Sequence, residues 1–166
     1  MRRRALLAGA LAGGALAARA QSPAPGPAGD PGQVYGSGFH PLPAGAAFAV
    51  RALDDTPTNL RLARQLAAAL RRRGRAVQAP PAPLMVSLET EIQQVPNRDK
   101  RYPSDSRGPV RYVLTATVDE AGRRMWNGEA SYVGNPNDEA HIFLQLVEVI
   151  ADEIGVTSRP HGFSLE

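Results

Sequence analysis

The chain has 166 residues, of which 43% are hydrophobic, with 19 basic and 16 acidic side chains, a formal net charge of +3 and no cysteine. Lack of a thiol excludes disulfides, thiolate metal sites, covalent thiol chemistry and lipid attachment through a cysteine. Arg2, Arg3, Arg4 and Arg19 all stand in the first twenty residues; without them fifteen basic residues face sixteen acidic ones, a net charge of −1, so a global basic field drawing the protein to nucleic acid is not supported.

Residues 1–20 have the layout of a cleavable export signal: three arginines, an apolar stretch from Ala5 to Ala17, and Ala18-Arg19-Ala20 as an A-x-A cleavage site. That stretch is diluted by Gly9, Gly13 and Gly14 and falls short of the ~20 apolar residues that a membrane span needs. Arg3-Arg4-Ala5-Leu6-Leu7 also has features of a twin-arginine signal, so both export routes stay open. The expectation is a periplasmic or secreted protein beginning at Gln21, with no transmembrane segment after cleavage.

Residues 21–45 carry six prolines and little apolar periodicity, which predicts a flexible Pro/Gly-rich linker. Residues 46–155 suit a single domain, and 156–166 read as an irregular tail. Within the domain, Ala47 to Leu53 is predicted as a strand with Phe48, Val50 and Ala52 on its inner side. Asp54 and Asp55 end it; Thr56-Pro57 then opens a helix with a hydroxyl cap and a first-turn proline. Leu60, Ala63, Leu66, Ala67 and Leu70 form its apolar stripe, Arg71 to Arg73 complement the dipole of its last turn, and Gly74 is its left-handed cap.

After Pro80-Pro81-Ala82-Pro83, the residues Leu84, Val86, Leu88 and Ile92 alternate with polar ones, as do Val110 to Val118. Asp119 to Gly122 is a hairpin turn into Arg123 to Val133, where Trp126, Gly128, Ala130 and Tyr132 face inward and Trp126 is read as a core anchor. Asn135-Pro136 opens a second helix, with Ala140, Phe143, Leu144, Val147, Ile150, Ala151 and Ile154 as its stripe and Gly155 as its end. The order β-α-β-β-β-α predicts an α+β two-layer sandwich: a four-stranded, mainly antiparallel sheet with both helices on one face.

No catalytic, nucleotide or metal motif stands out. His40, His141 and His161 have no partner at metal-ligand spacing, so no metal or cofactor is expected, and Asp54-Asp55 reads as turn and cap residues. Two surfaces are candidates for binding. The connection from Gln93 to Pro109 brings Arg98, Lys100, Arg101 and Arg107 around Tyr102, close to Arg111, a set suited to phosphate, a lipid headgroup or a glycan carboxylate. The other is the sheet face opposite the helices, with Arg51, Glu89, Glu91, Arg111, Thr115, Thr117, Asn127 and Glu129, a platform for a protein partner.

The strand AAFAVRAL, the helix NLRLARQLAAALRRRG, the strand LMVSLETEI and the hairpin RYVLTATVDEAGRRMWNGEASY, with Asp119, Gly122 and Trp126 in a D-x-x-G-x-x-x-W pattern, resemble a family of small bacterial envelope proteins of unknown function. Similar modules occur in the amino-terminal domain of the Tol-system periplasmic protein and in the curli secretion lipoprotein. That resemblance implies a non-enzymatic accessory protein that interacts with another cell-envelope component, and it carries over no catalytic residues. GSGFHPLP is also similar to a segment of the lipopolysaccharide-assembly lipoprotein, which implies a second envelope role. A small envelope hydrolase, resting on the basic loop and on Asp54-Asp55, is the enzymatic alternative.

Overall fold

The computed structural model describes residues 32–95 and 109–165; the proposed export signal lies outside them. Strand β1 is Gly32–Gly38, β2 is Phe48–Ala52, helix α1 is Pro57–Arg72, β3 is Leu84–Gln94, β4 is Val110–Glu120, β5 is Arg123–Gly134, helix α2 is Glu139–Glu153 and β6 is Ser158–Phe163. All six strands form one sheet in the order β2-β3-β4-β5-β1-β6. The α+β class and mainly antiparallel pairing agree with the expectation, but the sheet has six strands rather than four. β1 rises inside the segment read as a linker, and β6 inside the segment read as an irregular tail. β2 runs parallel to β3 across the α1 crossover, and every other named pairing is antiparallel.

Apart from the β4–β5 hairpin end, where the register shifts after Val118, the registers pair even-numbered residues of β2 to β5 and β1 with one another, as in Val86↔Val118, Val118↔Trp126 and Ala130↔Val34. Side chains alternate sides along a strand, so the apolar set of each strand merges into one continuous face. Leu84, Val86, Leu88, Leu114, Ala116, Val118 and Ala130 are buried there against Leu62, Leu66 and Leu70 of α1 and Phe143, Leu146, Val147 and Ile150 of α2. Tyr112 and Phe143 meet edge to face, with centroids 5.4 Å apart, and the Tyr112 hydroxyl donates to the Asn135 carbonyl at 3.0 Å. Such pairing adds direction to what area burial alone leaves nonspecific.

Both helix stripes lie rotated from the expected positions. α1 buries Asn59, Leu62, Ala63, Leu66, Ala69 and Leu70, which leaves Leu60 exposed. α2 buries Ile142 and Leu146 in place of Ala140 and Leu144. Each helix is apolar around more than half its circumference, so periodicity alone did not select the inward line. The starts follow the sequence closely: Thr56 accepts from the Asn59 N–H at 3.3 Å, and Asn135 accepts from the Asn137 N–H at 2.9 Å, where a short 3-10 turn, Pro136–Asp138, precedes α2. Gly74, at φ +74°, follows Arg73, the last capping residue of α1.

Trp126 is fully buried, as its even-numbered side required. A Cβ added at Gly128 would stand 2.4 Å from the Trp126 ring, and one at Gly36 would stand 2.6 Å from the Val156 carbonyl oxygen and 3.0 Å from the indole nitrogen. Gly36 and Gly128 are register partners, so the indole lies over a two-strand patch with no side chains of its own. Its N–H donates to the Val156 carbonyl at 2.7 Å, joining the sheet to the chain leaving α2.

The two helices are clamped at one end by Arg73. Its guanidinium reaches Asp152 at 2.5 and 2.8 Å, Glu148 Oε2 at 3.0 Å and the Glu148 carbonyl at 2.9 Å, while Arg72 also pairs with Glu148. The triple arginine is therefore a helix-end device at two of its three positions. The Arg73 hydrogen bond holds the Asp152 carboxyl below its ordinary range.

Two outcomes are expected from these contacts. Gly128→Ala forces a methyl group against the indole and should destabilise the fold by about 1–3 kcal/mol in denaturant unfolding, with Trp126 fluorescence reporting the displaced ring. A carboxyl with a depressed folded-state pKa contributes stability above its unfolded value of about 3.9 and loses it as pH falls through the lower folded value. Asp152→Asn should therefore cost about 0.5–1 kcal/mol at pH 7, the modest size expected of a solvent-screened pair. Its stability should converge with that of the parent protein as pH falls through the lowered folded-state value.

Candidate binding surfaces

Of the basic loop set, Arg98, Lys100, Arg101, Tyr102 and Arg107 fall outside the described residues. Arg111 is described, and β4 places it on the sheet face opposite the helices. Among the described residues no helix covers that face, and the register sorts its side chains into cross-strand rows. One row is Glu89, Thr115, Glu129 and Tyr35, running over β3, β4, β5 and β1; the next is Arg51, Ser87, Thr117, Asn127 and Ser37.

These groups hold one another. The Tyr35 hydroxyl donates to Glu129 at 3.3 Å, Arg111 donates to the Ser131 hydroxyl at 2.9 Å, and Arg51 donates to the Ser87 hydroxyl at 2.9 Å. Glu89 is exposed, while Arg111, Glu129 and Tyr35 are half-buried and Ser87 and Ser131 are buried. Two amide oxygens on this face, Gln33 Oε1 and Asn127 Oδ1, are covered and accept no hydrogen bond among the described residues, which leaves uncompensated acceptors beside a surface without a covering layer. Tyr35 stands out in the sequence as one of the few larger groups of a segment read as a tether, able to dock on the domain or a partner, but nothing there places it in a strand on this face. Its pairing with a strand 94 residues away leaves no local signal.

Burial pushes the Tyr35 phenol above its ordinary pKa; the Glu129 charge and hydrogen bond push the same way, and Arg111 opposes them. The arrangement is a coupled polar cluster across neighbouring strands rather than a set of independent solvated groups. Its chemistry is that of recognition: hydroxyls and carboxylates at strand spacing, two guanidinium groups, and a phenol at the margin.

The remaining candidates separate. Asp54 is committed to the start of α1, accepting from the Thr56 N–H at 3.2 Å, the Thr56 hydroxyl at 2.8 Å and the Asn59 amide at 2.7 Å. These bonds, led by that from the Thr56 hydroxyl, lower its pKa, and Asn59 in turn accepts from the Thr90 hydroxyl at 2.7 Å. The structure thus gives Asp54 the capping role. His141 lines a small cleft of about 280 Å3 with Asn135 and Asp138, and His161 stands 3.5 Å from Glu153. Among the described residues no group of His, Cys, Asp and Glu could hold a metal ion, and no helix is long and apolar enough to cross a membrane.

The Tyr35 environment gives a direct check. In 13C-tyrosine NMR titrations Glu129→Gln should move the Tyr35 midpoint down toward 10, by less than the full displacement because burial remains. Arg111→Gln should move it further up.

No protein-family model matches the sequence, and no curated protein matches it. Among solved structures, the PelC dodecamer from Paraburkholderia phytofirmans superposes with a TM-score of 0.51 at 16% identity, covering 76% of this chain and 99% of that one. A leucine-to-methionine variant of that dodecamer gives 0.49 at 14% identity, over 75% of this chain and 97% of that one. A PDZ domain protein from Parabacteroides distasonis gives 0.49 at 11% identity, over 79% of this chain and 39% of that one. The likeness to PelC is one of fold: the two chains share this α+β architecture over nearly the whole of PelC.

Proposed function

We propose that this chain is an exported accessory protein of the bacterial cell envelope that works by binding another envelope protein through the open face of its sheet. The observation that carries this reading is the row Glu89, Thr115, Glu129 and Tyr35 with its Arg111 neighbour, uncovered among the described residues: five side chains from four strands placed by register, with Tyr35 bonded to Glu129 and Arg111 to Ser131 before any partner arrives. Groups already held in place lose less conformational freedom on association. The export-signal layout of residues 1–20 and the resemblance of the strand and hairpin segments to small envelope proteins support the compartment. Commitment of Asp54 to a helix cap weakens the acid-pair support for a hydrolase.

A second reading, self-assembly through the same fold, is favoured by the likeness to PelC, whose crystals contain a dodecamer.

Photocrosslinking in intact cells decides between them, with a benzophenone amino acid placed at Thr115 or Thr117. A product heavier than the chain by the mass of a different protein, reduced at least about fivefold by Arg111→Glu, supports partner binding. Products at whole multiples of the chain mass identify self-assembly, and a chain that crosslinks to nothing at either position overturns the use of this face.

A further inference from the structure

A second surface, on the helix side of the far sheet edge, follows from the direction of backbone groups in β2. Phe48 donates its N–H to the Ala76 carbonyl at 2.8 Å and accepts from the Gln78 N–H at 2.9 Å, both away from β3, while Leu53 donates toward β3, to the Leu88 carbonyl at 2.9 Å. Backbone groups in a strand alternate direction at each residue, so Val50 and Ala52 point their N–H and C=O groups outward. Among the described residues β2 is the terminal strand, and the bridge beyond it stops at Phe48↔Val77. Val50 and Ala52 therefore border a groove of about 500 Å3 between β2 and α1.

The floor of this groove is apolar, formed by Val50, Val77 and Leu60, the last being the α1 leucine left exposed at 42%. Its helix wall carries Arg64 and Arg71, both exposed and neither engaged in the Arg72 and Arg73 clamp. Among the described residues Asp55 is the one carboxylate in the lining. Seven residues of helix separate the two arginines by about 10 Å, close to the ~13 Å between residues i and i+4 of an extended chain once the reach of two guanidinium groups is included.

We propose that this groove binds an extended acidic segment of a partner protein, added to β2 as a further strand. A central apolar side chain rests on Val50 and on Ala67, which lies between the two arginines along α1, and carboxylates two residues to either side meet Arg64 and Arg71. Main-chain hydrogen bonds to Val50 and Ala52 supply affinity, and the acid-x-apolar-x-acid spacing supplies selectivity. Charge argues against a second copy as the occupant: the other sheet edge, β6, carries Arg159 and His161, which would set basic groups against basic ones. Arg51 of the open face also lines this groove, but the contacts proposed at Val50, Ala52, Arg64 and Arg71 lie outside the open-face rows, so either surface can fail alone.

The full chain is titrated with an array of fluorescein-labelled nonapeptides carrying Asp or Glu, a varied residue, Val or Ile, a varied residue, and Asp or Glu at their centre. Lysine-substituted and alternately N-methylated versions serve as controls. Saturable binding of acidic members is expected, weakened at least tenfold in an Arg64→Glu, Arg71→Glu double variant whose unfolding midpoint is unchanged, and abolished by N-methylation. Amide exchange at Val50 and Ala52 should slow on binding. Absence of binding across the array, equal binding of lysine peptides, indifference to the double variant, or unaltered exchange at both amides would each overturn the proposal. Retention on anionic vesicles that competes with the peptides and needs no Val50 or Ala52 protection would assign the arginines to a lipid surface instead, and would likewise overturn it.

Discussion

The indole of Trp126 is the contact on which the arrangement of the sheet depends. It lies where three parts of the chain converge: β5, which carries it; β1, whose Gly36 gives it room; and the residues after α2, whose Val156 carbonyl accepts its N–H. A side chain of this size lies close against a sheet only where neighbouring strands offer no Cβ, and the register supplies two glycines opposite each other for this purpose. Close packing makes such a fit sensitive to a single methyl group. The requirement explains why a segment poor in apolar residues is nevertheless a strand: β1 contributes shape where its neighbours contribute hydrophobic area.

The same fact marks how far the amino-acid pattern reaches. β2 to β5 were legible because apolar and polar residues alternate along them, and both helix starts were legible from Thr56-Pro57 and Asn135-Pro136. β1 was not, since its helix-facing positions are Gly32, Val34, Gly36 and Gly38, a pattern in which one valine stands for a whole face. β6 was hidden similarly, with Phe163 as the sole large apolar residue of SRPHGF; that ring fills space above Gly32 and stands 6.3 Å from Tyr132. In both cases aromatic rings supplied from elsewhere replace the missing side chains, information that no local window contains. For the open face, Glu89, Arg111 and Glu129 followed from strand alternation, whereas Tyr35 depended on the unseen strand.

Register divides the molecule into two chemistries. With even-numbered residues paired across β2 to β5 and β1, except beyond the irregularity after Val118 at the β4–β5 hairpin end, aliphatic groups collect beneath the helices and hydroxyls, carboxylates and guanidinium groups collect on the other side. A slip of one residue in any of these strands would send both sets to the wrong side. Polar pairs such as Tyr35 with Glu129 and Arg111 with Ser131 therefore do more than decorate the surface; they favour the alignment that the core requires. Asp54, Asn59 and Thr90 play a comparable part at the opening of α1, linking it to β3 through a chain of hydrogen bonds.

The neighbouring positions of β1 and β6 govern how the folded unit can be attached to anything else. Gly32 pairs with Phe163, so the chain enters and leaves the sheet at a single corner, beside one border strand. Material joined ahead of Gly32 or beyond Phe163 would depart from that corner side by side. Anchoring at either extremity would therefore orient the unit like a flag on its pole, with β2 as the free hem.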